Sequence, residues 1–506
     1  MKLNFNQYKD KVKACWLGKN IGGTLGAPFE CFRGVYDLEY YTHDISTGVL
    51  PNDDLDLQIV WLAAAEKYGR NVCSKILGEY WISYIVADWS EYGAGKNNMR
   101  FRLQPPISGW YKNHNKDSCG CFIRSEIWAC LAPGQPEIAV RYAYEDAICD
   151  HADEGVYAEI FCAALQSAAF VERDMKTLTD CALSYIPEDC TIAKVIRFVY
   201  ECYDKGLSWK EARKAILIKF PGSFGNYNGY KEDQTPEDDI PAGVPGYDAP
   251  SNIGLMMLGW IYGEGDFSKS ICIAAGCCED ADCTAGTLGA LLGIMGGTQI
   301  IDKKWLEPIG DEIKTISIDC TKMYPMNVPK TVTELSERVI KLMPTFMHNH
   351  FRINESGIFE FDEVQITTAR TLSIGTFENT TFTKLMLTSP VCVTASCVLY
   401  DVNVVYDGNL TVTEGVPKHF RLEFNNRILT QQWLELKLHL PEEWTASPSR
   451  TMHINLNNAN GGSAWSEFEF DIIPASVDEG RYDILLELTS TGRMTKTFME
   501  MPLMSC

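Results

Sequence analysis

At 506 residues the chain exceeds what one hydrophobic core usually organises, so more than one domain is expected. A formal net charge of -22 repels a phosphate backbone, which excludes nucleic acid as the expected partner, although a bound divalent cation would still let a small anion approach. Apolar residues make up 46%, but no run of about 18 occurs, so neither a membrane span nor a membrane partner is expected.

The chain opens with MKLNFNQYKDKVKACWLG, which has no continuous apolar stretch and no cleavage pattern; a cytoplasmic protein is expected. The 19 cysteines fit that compartment, because they lie in apolar segments (Cys15, Cys73, Cys130, Cys162, Cys181) without the spacing of a disulfide framework. The pairs Cys119/Cys121 and Cys277/Cys278 match no familiar zinc spacing.

Residues 1–345 are expected to form an all-α domain. LDLQIVWLAAAEKYG, EIFCAALQSAAFVERD, TIAKVIRFVYECYDKG and TAGTLGALLGIMGG repeat apolar residues at helical spacing. Within this domain GKNIGGTLGAPFE, residues 18–30, runs small residues and Pro28 into a single acid, Glu30. Two readings stand: a close helix crossing with an exposed glutamate, or a carboxylate delivered to a concave site as ligand or general base. PNDDLDLQIVWL, residues 51–62, places Asn52 or Asp53 at a helix N-cap with Asp54 in the first turn. Capping accounts for one or two of these acids. A third, Asp56, makes a cluster that needs solvent or a cation.

Further on, LQPPISGW reads as a loop, and SCGCFIRSEIWACLAPG offers Ser118 and Gly120 at a helix start, a place for a sugar or an anion. EDAICDHADEG carries His151 just after a helix, as a cap or as a substrate contact. The long stretch from Phe220 to Ser251 has the composition of a lid or binding loop. GCCEDADCTAGTLGALLGIMGG, residues 276–297, then sets Glu279, Asp280 and Asp282 directly before a helix of small residues. Hard cations such as Mg²⁺ or Mn²⁺ favour this oxygen-rich ligand set, and two such clusters at helix starts can face one another.

The texture changes near MPTFMHNHFRINESG. Residues 350–506 are expected to form an all-β sandwich, from runs such as VQITTARTL, HFRLEFNN, WLELKLHLP and RYDILLELTSTG. Trp433, Trp444 and Trp465 are either sandwich core or stacking surfaces for sugars. The β domain is also where homo-oligomers would form.

Taken in order, the motifs of the helical domain resemble the ADP-ribosylglycohydrolase family, which includes the dinitrogenase reductase-activating glycohydrolase. The matching positions are Gly18 to Glu30, Asn52-Asp53-Asp54, Ser118-Cys119-Gly120, Asp150-His151 and Asp280-Ala281-Asp282-Cys283. The resemblance implies an all-α fold with two Mg²⁺ or Mn²⁺ ions held by Asp53, Asp54, Asp280 and Asp282. It also implies Glu30 as the acid/base or water-positioning group, with Asp54 and Asp280 in the catalytic set. Ser118, Gly120, Cys121 and His151 would meet the substrate. Four positions depart from the family pattern: Gly23 replaces an Asp, Asn52 a Thr ligand, Cys121 an Asn, and Cys283 a Thr ligand beside Thr284.

The expected activity is hydrolysis of an N- or O-glycosidic bond of an ADP-ribosyl conjugate. The alternatives are the same site acting on another sugar or nucleoside-like glycoside, and a non-catalytic protein that binds sugar or ADP-ribose.

Overall fold

The computed structural model describes residues 3–222, 231–237, 240, 246–319, 321, 327–348, 350–353, 359–361, 389–428, 430–458, 464–478 and 480–505. Its first part is helical and its last part is built from antiparallel sheets. The expected strand VQITTARTL lies outside the described residues, as does much of the stretch between Phe220 and Ser251.

The opening helix, Phe5–Gly26, starts from a capping box. Asn4 Oδ1 accepts from the Gln7 N–H, and Gln7 Oε1 accepts from the Asn4 N–H. From Ala14 to Gly26 every residue of this helix is buried. Its partner is the small-residue helix Ala281–Gly296, buried without break from Ala281 to Ile294. The two run antiparallel with their backbones in contact. A Cβ on Gly18 would stand 2.1 Å from the Gly289 carbonyl oxygen, one on Gly22 2.1 Å from that of Ala285, and one on Gly26 2.2 Å from that of Ala281. Glycine at every fourth position therefore sets the approach distance, and the crossing brings the end of one helix to the start of the other. The helices Asp53–Tyr68, Glu154–Ala169, Ala249–Gly263, Phe267–Gly276 and Val332–Met347 pack around this pair in one core. Among the described residues, no helix is long and apolar enough to cross a membrane.

In the β region a five-stranded and a four-stranded antiparallel sheet share a second core. Val402, Val404, Leu422 and Phe470 come from one sheet; Leu436, Leu486, Leu488 and Met501 come from the other. The strand Gln432–His439 alternates buried and exposed residues along its length, as a strand with one face on a core must. Trp444 is core and donates its indole N–H to the Ser476 carbonyl at 2.9 Å, Trp465 is half-buried, and Trp433 is exposed.

The two parts meet at LQPPISGW. This expected loop ends in a short helix, Ile107–Trp110; Leu103 and Ile107 belong to the sandwich core, and Arg102 reaches Glu500 at 2.9 Å. Arg481 returns the contact by donating to the carbonyls of Phe101 and Arg102.

Candidate active site

The helix Asp53–Tyr68 begins at Asn52, whose Oδ1 accepts from the Asp54 N–H at 2.7 Å. Asn52, not Asp53, is therefore the cap, and its amide oxygen already has a partner. The Asn52 amide also fills the space beside Gly23, where a Cβ would lie 2.2 Å from Asn52 Nδ2. The departures at 23 and 52 are thus one packing solution: the amide at 52 needs the missing side chain at 23.

The three acids of this start face different ways. Asp56 is buried and accepts from the backbone N–H groups of Ile316 and Ser317, both at 2.7 Å. Burial pushes its carboxyl up to about 6 against those bonds. It anchors a distant segment. Asp54 points to the helix crossing, where Lys19 Nζ lies 3.1 Å from its Oδ2 and 3.2 Å from Glu126 Oε1. Asp53 accepts from the Tyr92 hydroxyl at 3.0 Å, and burial together with Asp54 pushes its carboxyl up to about 8.

The second start divides in the same manner. The sequence sets Glu279 beside Asp280 and Asp282 as an uncompensated acid, but Arg33 Nε pairs with it at 2.7 Å. The pair forms across the short ladder of Phe32–Arg33 with Cys278–Glu279. Cys278 and Glu279 both hold positive φ, 59° and 63°, a costly turn that aims the chain into the next helix. Asp280 is the N-cap residue of the helix Ala281–Gly296, and Asp282 lies within its first turn rather than before it. Both carboxyls are pushed well up. Burial and then Asp282 act on Asp280; burial and then Glu30 and Asp54 act on Asp282.

Glu30 closes the cluster. It is the exposed member, at the mouth of the site, where desolvation with Asp280, Asp53 and Asp54 pushes its carboxyl up to about 8. Three sets of donor atoms each lie within 4.8 Å of one another: Glu30, Asp280 and Asp282; Asp54, Asp282 and Cys283; Cys119, Asp280 and Cys283. Asp282 Oδ1 is buried with no hydrogen-bond partner among the described residues. A buried, unpartnered carboxylate oxygen among like charges is what a divalent cation relieves, so the donors fit the metal ions expected. Thr284 donates its hydroxyl to the Ala281 carbonyl at 3.2 Å.

Beside the cluster, Ser118 Oγ lies 2.7 Å from His151 Nε2, and His151 Nδ1 lies 2.9 Å from Asp150 Oδ1. Ser118 and His151 are both fully buried. Arg124, also fully buried, binds Asp146 at 2.8 Å and Asp150 at 2.6 Å, and with His151 it holds the Asp150 carboxyl low against the effect of burial. A Cβ on Gly120 would stand 2.1 Å from Glu91 Oε1, so a side chain there would displace the Glu91 carboxylate. Cys121, expected at the substrate, bonds the Gly155 carbonyl at 2.6 Å. Sequence reasoning misses Lys19, Glu91 and Arg124 as parts of the site, and sets Cys119 aside for its spacing from Cys121. Lys19 carries a signal: a lone cation inside a glycine stripe on a buried helix face.

A helical scaffold with this carboxylate cluster is of the glycohydrolase type. The chain belongs to the ADP-ribosylglycohydrolase family, whose pattern matches residues 5–340. No curated protein matches the chain.

Proposed function

We propose that the chain is a metal-dependent hydrolase of N- or O-glycosidic bonds in ADP-ribosyl conjugates. The observation that carries this reading is the convergence of Glu30, Asp280 and Asp282, from two separate chain segments, on one point. Asp53, Asp54, Asp280 and Asp282 would hold Mg²⁺ or Mn²⁺, in two positions. Bound divalent ions would supply charge to orient sugar hydroxyls and a water. Glu30 stands at the open side, the residue from which a carboxyl would exchange a proton with the reacting water or leaving group. Ser118 and His151, bonded to each other and fixed by Asp150, would support the substrate wall from beneath.

A second reading, the same site on another glycoside, is favoured by Cys121: its thiol is spent on the Gly155 carbonyl and offers the substrate no amide. The test is turnover of ADP-ribosylated peptides, other ADP-ribose conjugates and aryl glycosides with Mg²⁺, Mn²⁺ or Zn²⁺. Release of free ADP-ribose supports the first reading. Turnover of aryl glycosides alone replaces it with the second, and metal binding without turnover of any substrate leaves a binding protein.

A further inference from the structure

We propose that Cys119, Asp280 and Cys283 form a thiol-containing cation position that takes Zn²⁺ or another thiophilic divalent ion in preference to Mg²⁺. This deepens the hydrolase reading and rests on it for the presence of a metal centre. Cys119 is held by its own backbone: its N–H donates to the Tyr247 carbonyl at 2.7 Å, next to the bridge between Ser118 and Asp248. Cys283 lies in the first turn of the helix that Asp280 caps. The three donor atoms lie within 4.8 Å of one another, and all three residues are buried. A tetrahedral zinc with sulfur at about 2.3 Å and oxygen at about 2.1 Å needs donors roughly 3.5 to 3.8 Å apart, so Cys119 Sγ, which donates to Asp280 Oδ2 at 2.5 Å, parts from that oxygen as the ion enters.

Three protein donors and a free fourth position are the arrangement of a catalytic zinc, and sulfur selects against Mg²⁺, which demands an octahedron of oxygens. The adjoining donor set shares one of these thiols and holds an orphaned oxygen. Asp282 Oδ1 is buried and, among the described residues, accepts no hydrogen bond; Asp282 forms the adjoining set with Asp54 and the same Cys283. One thiol therefore stands between two cation positions. On binding, each metal–sulfur bond forms as its thiol proton leaves to solvent. Cys121, two residues from Cys119, is an internal control because its sulfur bonds the Gly155 carbonyl and belongs to none of the three donor sets.

The test is a Co²⁺ titration of the full chain after treatment with a chelator, read by the thiolate-to-cobalt charge-transfer absorption. The band is expected to saturate, to survive a large excess of Mg²⁺, and to vanish when Zn²⁺ is added. Cys119→Ser should reduce it to about half, one thiolate of two remaining, and Cys121→Ser should leave it unchanged. Should Cys119→Ser fail to fold by circular dichroism, the thiolate-to-cadmium band of the unaltered chain answers the same question. Cobalt bound without a thiolate band overturns the proposal and leaves the carboxylate centre standing. No uptake of Mg²⁺, Mn²⁺, Co²⁺ or Zn²⁺ removes both.

Discussion

The two acidic helix starts are built alike and neutralised differently. Each gives one acid to structure, Asp56 to the Ile316 and Ser317 N–H groups and Glu279 to Arg33, and turns the others to the shared centre. At the first start the protein supplies its own cation, Lys19, beside Asp54. At the second, Asp280 and Asp282 meet thiols and other carboxylates. A built-in ammonium can hold a buried carboxylate in place, but only an exchangeable cation leaves coordination positions for a substrate.

The largest effect should come from removing that built-in cation. Lys19→Met leaves Asp54 and Glu126 buried without their partner and should cost about 3–5 kcal/mol in denaturant unfolding. An unchanged midpoint would erase the contrast between the starts. At the second start Asp280→Asn should lower turnover at least about 100-fold, with the melting temperature unchanged or raised, because one of several like charges is gone. Full activity in that variant would refute the centre.

Gly22→Ala tests the crossing that joins the starts. Its Cβ would press on the Ala285 carbonyl, and about 1–3 kcal/mol of stability should be lost. A variant as stable as the parent would show that the helices can part there without cost. The last test concerns Asp248, which caps the helix Ala249–Gly263 and whose carboxyl burial pushes up to about 7. The folded state then binds a proton that the unfolded state has released above about pH 4, so this group's contribution to stability falls as pH rises from about 4 to 7. Asp248→Asn should flatten that part of the pH–stability curve of the chelated protein; an unaltered curve would contradict the assignment.

The helical and β regions are legible in the sequence because their periods differ. The glycines at 18, 22 and 26 and the alternation in WLELKLHLP each follow from local geometry. The acids at both helix starts are legible for the same reason, as caps or ligands. Their division of labour is not, since Asp56 and Glu279 find partners far away in the chain. Cys119 is hidden likewise: nothing near it in sequence announces Asp280, and only the fold brings the two together. LQPPISGW reads as an ordinary loop, yet Leu103 and Ile107 anchor the sandwich to the helices.

The most direct test is a calorimetric Mn²⁺ titration of the unaltered chain, of Asp54→Asn and of Asp280→Asn. If the two starts form one centre, the unaltered chain binds and either substitution weakens binding at least about tenfold. Unaltered affinity in both variants would contradict the account.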